Sequence, residues 1–148
     1  MTAERSRAAS GDSGGAAADT GYVQIYTGDG KGKTTAALGL VLRAWGHDRR
    51  VALLQFMKAD PEWGEIVALR RINIEVLQMG LDHWVRKGQA SREDLEAAAA
   101  GFAKAREIVM SGRFDVVVLD EIWPAVYFAL LSLASVLALM REKPRPVE

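Results

Sequence analysis

The chain has 148 residues, enough for one domain that buries roughly two-thirds of the surface its unfolded form exposes. Nineteen Lys plus Arg balance nineteen Asp plus Glu, so the formal net charge is zero; this excludes a nucleic-acid binder working by bulk positive charge and an acidic tail protein. Cysteine is absent, which excludes disulfides, thiolate metal sites, cysteine nucleophiles and iron–sulfur clusters.

Residues 1–20 are rich in Ser, Ala and Gly. Such a stretch buries too little apolar area to order itself and predicts a disordered N-terminal tail. It holds no apolar run of signal-peptide length. Tyr22–Tyr26 (YVQIY) is a β-rich run that ends in a glycine-rich turn. Lys33–Trp45 follows as a helix apolar on nearly every face, and such a helix is expected to be covered on several sides. Val51–Phe56 reads as a second strand, Pro61–Arg71 as a short helix and Ile74–Leu77 as a third strand.

Ser91–Ser111 is the clearest amphipathic helix, opened by Ser91 and Asp94 in a capping-box spacing. Gly112 supplies its left-handed stop. Val116–Asp120 (VVVLD) is the continuous apolar run of a buried parallel strand. Ala125–Met140 is apolar over sixteen residues, short of the roughly 20 needed to span a bilayer; Pro124, Ser132 and Ser135 predict two short helices over a sheet face. The alternation predicts an α/β domain over residues 21–148, with a mainly parallel sheet flanked by helices.

The glycine-rich turn carries the first chemistry. Thr27-Gly28-Asp29-Gly30-Lys31-Gly32-Lys33-Thr34-Thr35 sits between strand and helix and ends in Gly-Lys-Thr, the end of a phosphate-binding P-loop. Glycines at 28, 30 and 32 let successive backbone N–H groups point inward at an anion. The following helix adds the partial positive charge of its N-terminus. Lys33 adds a full charge, and the Thr34 hydroxyl is placed to ligate magnesium. Thr27 stands where the usual spacing has glycine. The loop speaks for phosphate binding and is silent about the reaction.

The second feature is Asp120-Glu121 at the end of the VVVLD strand. A strand of this kind delivers carboxylates to the sheet edge where ligands bind in open α/β folds. Either carboxylate suits magnesium, directly or through water, and either suits a general base.

With these residues in view, GYVQIYTGDGKGKTTAALGLVLRAWGH, VALLQFMK and SGRFDVVVLDEI closely resemble the P-loop class of corrinoid adenosyltransferase, which acts on cob(I)alamin and cob(I)yrinic acid a,c-diamide. The resemblance runs from Gly21 to about Pro144 and includes Thr27, which the family shares. It implies a P-loop NTPase-like fold in which ATP lies with its triphosphate on the loop. The Co(I) centre of the corrinoid attacks ribose C5′, and tripolyphosphate leaves. Because Co(I) is the nucleophile, the protein's task is to position two substrates and neutralise the leaving group.

Carried over by position, Gly28, Asp29, Gly30, Lys31, Gly32, Lys33, Thr34 and Thr35 form the nucleotide loop. Magnesium (or manganese) falls to Thr34 with Glu121 as first-choice carboxylate and Asp120 as second. Lys33 and Glu121 are thereby catalytic candidates. On the corrinoid side the family's aromatic loop corresponds to Gln78–Val85, and Trp84 is the candidate, with His83 beside it. Lys58 and Glu65 are possible contacts. The resemblance further implies a cytoplasmic homodimer in cobalamin synthesis or salvage, served by a reductant such as a flavoprotein, with no nucleic acid or membrane partner.

Two features depart from the family pattern. Trp123-Pro124 follows Ile122 where the family shows asparagine and a small residue. The family also continues into a strand with a Thr-Gly-Arg motif and a last helix, so the domain over 21–148 is expected to be incomplete at its C-terminus. Two alternatives share the motifs: a truncated nucleotide-binding relative without transferase activity, and an unrelated P-loop ATPase or phosphotransferase.

Overall fold

The computed structural model describes residues 20–148. The tail expected over residues 1–20 lies outside the described residues except for Thr20. In chain order the elements are α1 (Lys33–Trp45), β1 (Val51–Phe56), α2 (Gly64–Arg71), β2 (Glu75–Met79), α3 (Arg92–Met110), β3 (Val116–Asp120), α4 (Ile122–Tyr127) and α5 (Leu133–Glu142). The strands form one parallel sheet in the order β2-β1-β3. The fold is therefore α/β, a small parallel sheet flanked by helices.

β1 is the centre of this arrangement. All six of its residues are buried, as expected of a parallel strand covered on both faces. Its alternation sorts the core into two clusters. Val51 and Leu53 pack with Val41 of α1, Leu69 of α2 and Val116. Ala52, Leu54 and Phe56 pack with Ala98, Ala105 and Ile108 of α3 and with Ile122, Ala125 and Val136 of α4 and α5. Helices α1 and α2 thus cover one face, and α3, α4 and α5 the other.

Local chemistry sets the helix ends. In α3 the Ser91 side chain accepts from Asp94 N while the Asp94 carboxylate accepts from Ser91 N, the expected capping box. Gly112 follows at φ 66°. The apolar run after β3 divides into α4 and α5, and the Ser132 side chain caps α5 by accepting from Ser135 N. Among the described residues no helix is long and apolar enough to cross a membrane.

Two expectations are corrected. Helix α1 is covered on one side only: Val41 is its single buried residue, while Leu42 and Trp45 stay exposed. Its apolar stripe outruns the one sheet face it packs on. More consequentially, Tyr22–Tyr26 does not form a strand. The edge of β3 away from β1 is engaged instead by Glu148, whose N donates to Asp115 O and whose carbonyl accepts from Val117 N. Gly21 joins the residues before Glu148, its N–H donating to Arg145 O at 2.8 Å and its carbonyl accepting from Lys143 Nζ at 2.7 Å. Between the Tyr22–Tyr26 segment, β3 and α5 lies a cavity of about 840 Å³.

Candidate functional site

The loop from Gly28 to Gly32 leads into α1 at the carboxyl ends of the strands. Gly28 at φ 135° and Gly32 at φ 108° adopt backbone that a side chain strongly disfavours. A Cβ at Gly28, Gly30 or Gly32 would meet nothing within 4 Å, so that side of the loop is open. No side chain caps α1; its first backbone bond is Ala36 N to Gly32 O at 2.8 Å. The amides of Lys33, Thr34 and Thr35, like any first-turn amides, therefore lack helical acceptors and face the helix's positive end. Lys33 folds back across the loop, its Nζ donating to Gly28 O at 2.6 Å and to Gly30 O at 2.7 Å.

The Thr34 hydroxyl donates to Asp120 Oδ1 at 3.1 Å, joining the start of α1 to the end of β3. Asp120 belongs to a polar row. Sheet register aligns Gln55 of β1 with Gln78 of β2 on one side and Asp120 of β3 on the other. Gln78 Nε2 donates to Gln55 Oε1 at 3.1 Å, and Gln55 Nε2 donates to Asp120 Oδ2 at 3.0 Å. Gln55 is fully buried, so this row fixes the carboxylate's orientation from inside the sheet.

Lys58 closes the cluster. Its Nζ donates to Asp120 Oδ2 at 2.7 Å and lies 3.3 Å from Glu121 Oε1. Burial pulls the ammonium's pKa down, but the Asp120 hydrogen bond and the charges of Asp120 and Glu121 outweigh it and hold it above the ordinary lysine range. Glu121 sits at φ 60° as the N-cap of α4, a left-handed conformation uncommon outside glycine.

The structure thus brings Lys33, Thr34, Asp120, Glu121 and Lys58 to one edge of the sheet. Among these, Asp120 is the carboxylate that touches Thr34, while the nearest cation to Glu121 is Lys58. An oxygen pair of hydroxyl and carboxylate suits magnesium, which keeps the rest of its shell for phosphate and water. Among the described residues no group of three or more His, Asp or Glu is gathered for a metal.

Trp84 is 91% exposed on the loop before α3. Neighbouring Val85 packs on the core, and Lys87 Nζ lies 4.1 Å from the centroid of the Tyr127 ring. His83 is tied by Nε2 to the buried Asp94 carboxylate at 2.8 Å, away from the loop cluster. Glu65 is half-buried in the first turn of α2. Trp123 packs against the core on the α3 side and lines the cavity. Gln55 and Gln78 escaped sequence reasoning. The signal was there in part: each is a polar residue in an otherwise apolar or alternating strand, near the end that faces the loop.

Fold and loop together define an α/β protein with a phosphate-loop sequence and an acidic strand edge beside it. The chain belongs to the family ATP:corrinoid adenosyltransferase BtuR/CobO/CobP, whose model matches residues 19–148. It is 31% identical over 128 residues to the corrinoid adenosyltransferase of Escherichia coli strain K12, covering 85% of this chain and 64% of that protein. It is 33% identical over 128 residues to the corrinoid adenosyltransferase of Pseudomonas aeruginosa, covering 85% and 63%. An uncharacterized Nostoc protein is 36% identical over 143 residues, covering 87% of this chain and 38% of that protein. The chain therefore spans less than two-thirds of the length of these relatives.

Proposed function

We propose that the chain carries the nucleotide-binding part of an ATP:corrinoid adenosyltransferase, in which Co(I) of a reduced corrinoid attacks ribose C5′ of ATP and tripolyphosphate leaves. The observation that supports this best is the meeting of an uncapped α1 N-terminus, Lys33 and the Thr34–Asp120 contact at one loop, in a chain of this family.

Each residue has a task in this reading. The first-turn amides of α1 and the Lys33 ammonium bind the triphosphate. Lys33 exchanges the carbonyls of Gly28 and Gly30 for phosphate oxygens, a stronger charge-assisted bond. Negative charge grows on the leaving tripolyphosphate, so groups fixed around it in advance favour the transition state over the ground state. Thr34 and Asp120 would hold magnesium, which when bound would supply further positive charge to the leaving phosphates. Gln55 and Gln78 keep Asp120 turned toward Thr34. Glu121 is the other carboxylate that would suit that ion, and Trp84 is the corrinoid-side candidate. A flavoprotein reductant, a homodimer and a cytoplasmic setting go with the same reading.

An anaerobic assay with cob(I)alamin, ATP and magnesium tests it. The expected products are the adenosylated corrinoid and tripolyphosphate in equal amounts. ATP binding without either product points instead to a nucleotide-binding relative that lacks transfer. Orthophosphate release independent of corrinoid points to a P-loop ATPase and overturns the proposal.

A further inference from the structure

We propose that Lys58 is the built-in counter-ion of the metal site: it occupies the carboxylates until a nucleotide arrives, so the divalent cation enters with the phosphates and not before them. This rests on the reading of Asp120 as the metal-side carboxylate.

The geometry is specific. Lys58 Nζ lies 2.7 Å from Asp120 Oδ2 and 3.3 Å from Glu121 Oε1, and its side chain is only 14% exposed. The Trp63 ring adds a third favourable partner, its centroid 5.4 Å from Nζ. The backbone is held to this placement from both sides. Met57 just before it sits at φ 56°. Gly80 approaches so closely that a Cβ there would lie 2.2 Å from Lys58 N, and Gly80 N donates to Lys58 O at 3.1 Å. A merely solvated lysine needs none of these devices.

The charge arithmetic gives the consequence. Within the Asp120, Glu121 and Lys58 cluster, two carboxylates and one ammonium leave a single net negative charge, Lys33 being turned to the loop carbonyls, and Asp120 Oδ2 is already satisfied by Lys58 and Gln55. A bare divalent cation approaching Asp120 meets an ammonium within bonding distance of the same carboxylate, and that repulsion acts in a partly desolvated place where charges are poorly screened. A triphosphate changes the balance. It brings phosphate oxygens of its own to the metal, and it offers Lys58 an anion to move to on its four-carbon stem. Metal and nucleotide then bind with strong mutual dependence.

The test is manganese binding to the folded chain, read from the electron paramagnetic resonance of free Mn²⁺, with and without a non-hydrolysable ATP analogue. Without nucleotide, Lys58→Met is expected to bind one Mn²⁺ about tenfold or more tighter than the unmodified protein. Lys58→Gln, which keeps a donor for Asp120 but no charge, shows the same gain, and Lys58→Arg shows none. Adding Asp120→Asn to Lys58→Met abolishes the gain. A lysine with a purely structural role would lower metal affinity on removal, so no gain in either Lys58→Met or Lys58→Gln overturns the proposal. With the analogue present, loss of Mn²⁺ in Asp120→Asn alone supports the metal reading. If Asp120→Asn holds the metal normally there, that reading falls and this proposal with it. If Asp120→Asn loses the metal but neither lysine variant gains it, the Lys58 proposal fails by itself.

Discussion

Lys33 carries a full positive charge at the end of the loop, and its present partners are two exposed carbonyls of that loop. Removing it should therefore cost little stability and much phosphate affinity. For Lys33→Ala we expect nucleotide affinity to fall roughly tenfold to a hundredfold, the worth of a hydrogen bond between charged groups, with an unchanged melting temperature. Titration calorimetry and a thermal melt check both halves, and unchanged ATP binding would sink the loop assignment. A second residue-scale effect lies away from the site. Arg50 donates to Asp115 from its side chain and its backbone, which lowers the Asp115 pKa to about 2. A depressed folded-state value means stability that is full above the unfolded carboxylate pKa and drains away as pH falls from about 4 toward 2. Asp115→Asn should thus be less stable than the parent at neutral pH, and the two should converge near pH 2 in denaturant melts. A gap that stays constant with pH would refute the pairing. Lys33, Thr34 and Asp120 were legible in the sequence because a loop motif and an apolar strand ending in carboxylates are local patterns. Gln55 and Gln78 were not, because their meaning comes from register between strands separated by whole helices.

At the scale of elements, α3 shows what local sequence decides well. Ser91 and Asp94 predicted the cap, and both reciprocal bonds are present. The Asp94 carboxylate also takes the His83 ring nitrogen, so one buried group fastens the helix start and the loop bearing Trp84. The Ser91 backbone bond is the first cause that holds the Asp94 pKa low, with the Ser91 side chain and His83 adding to it against burial. Ser91→Ala should cost about 1 kcal/mol. Asp94→Ala should cost more, about 2–3 kcal/mol, since it strips partners from Ser91 N and His83 together. Urea midpoints compare them; equal costs would mean the His83 bond contributes nothing. Helix α2 begins at Gly64, later than the expected Pro61, and β2 covers Glu75–Met79 where Ile74–Leu77 was expected. In both cases propensity marked the element while pairing and packing set its limits, as is usual for boundaries.

For the whole molecule, the sharpest divergence is the segment that reads as a strand and is not one. Tyr22–Tyr26 has the right residues for β structure, but such propensity expresses a fit to a half-buried pleated surface and not a backbone preference of its own. Here Tyr22, Val23, Ile25 and Tyr26 are exposed, and their backbone amides have no acceptor among the described residues. β3 offers an edge, yet that edge is engaged at Asp115 and Val117 by Glu148, and a cavity of about 840 Å³ separates the segment from the rest of the strand. Strand β1, in contrast, is paired on both sides and wholly buried. Hydrogen exchange should divide the two sharply. Amides of Val23–Tyr26 should exchange at close to the unprotected rate, and those of Leu53–Gln55 should open only with global unfolding. The control lies in β3 itself: Val117 N, held by Glu148 O, should be protected less than β1, because Glu148 belongs to none of the strands. If Val23–Tyr26 instead exchange as slowly as β1, the segment pairs with β3 in solution. The cavity is then filled, and the sheet gains the fourth strand that the residues by themselves call for.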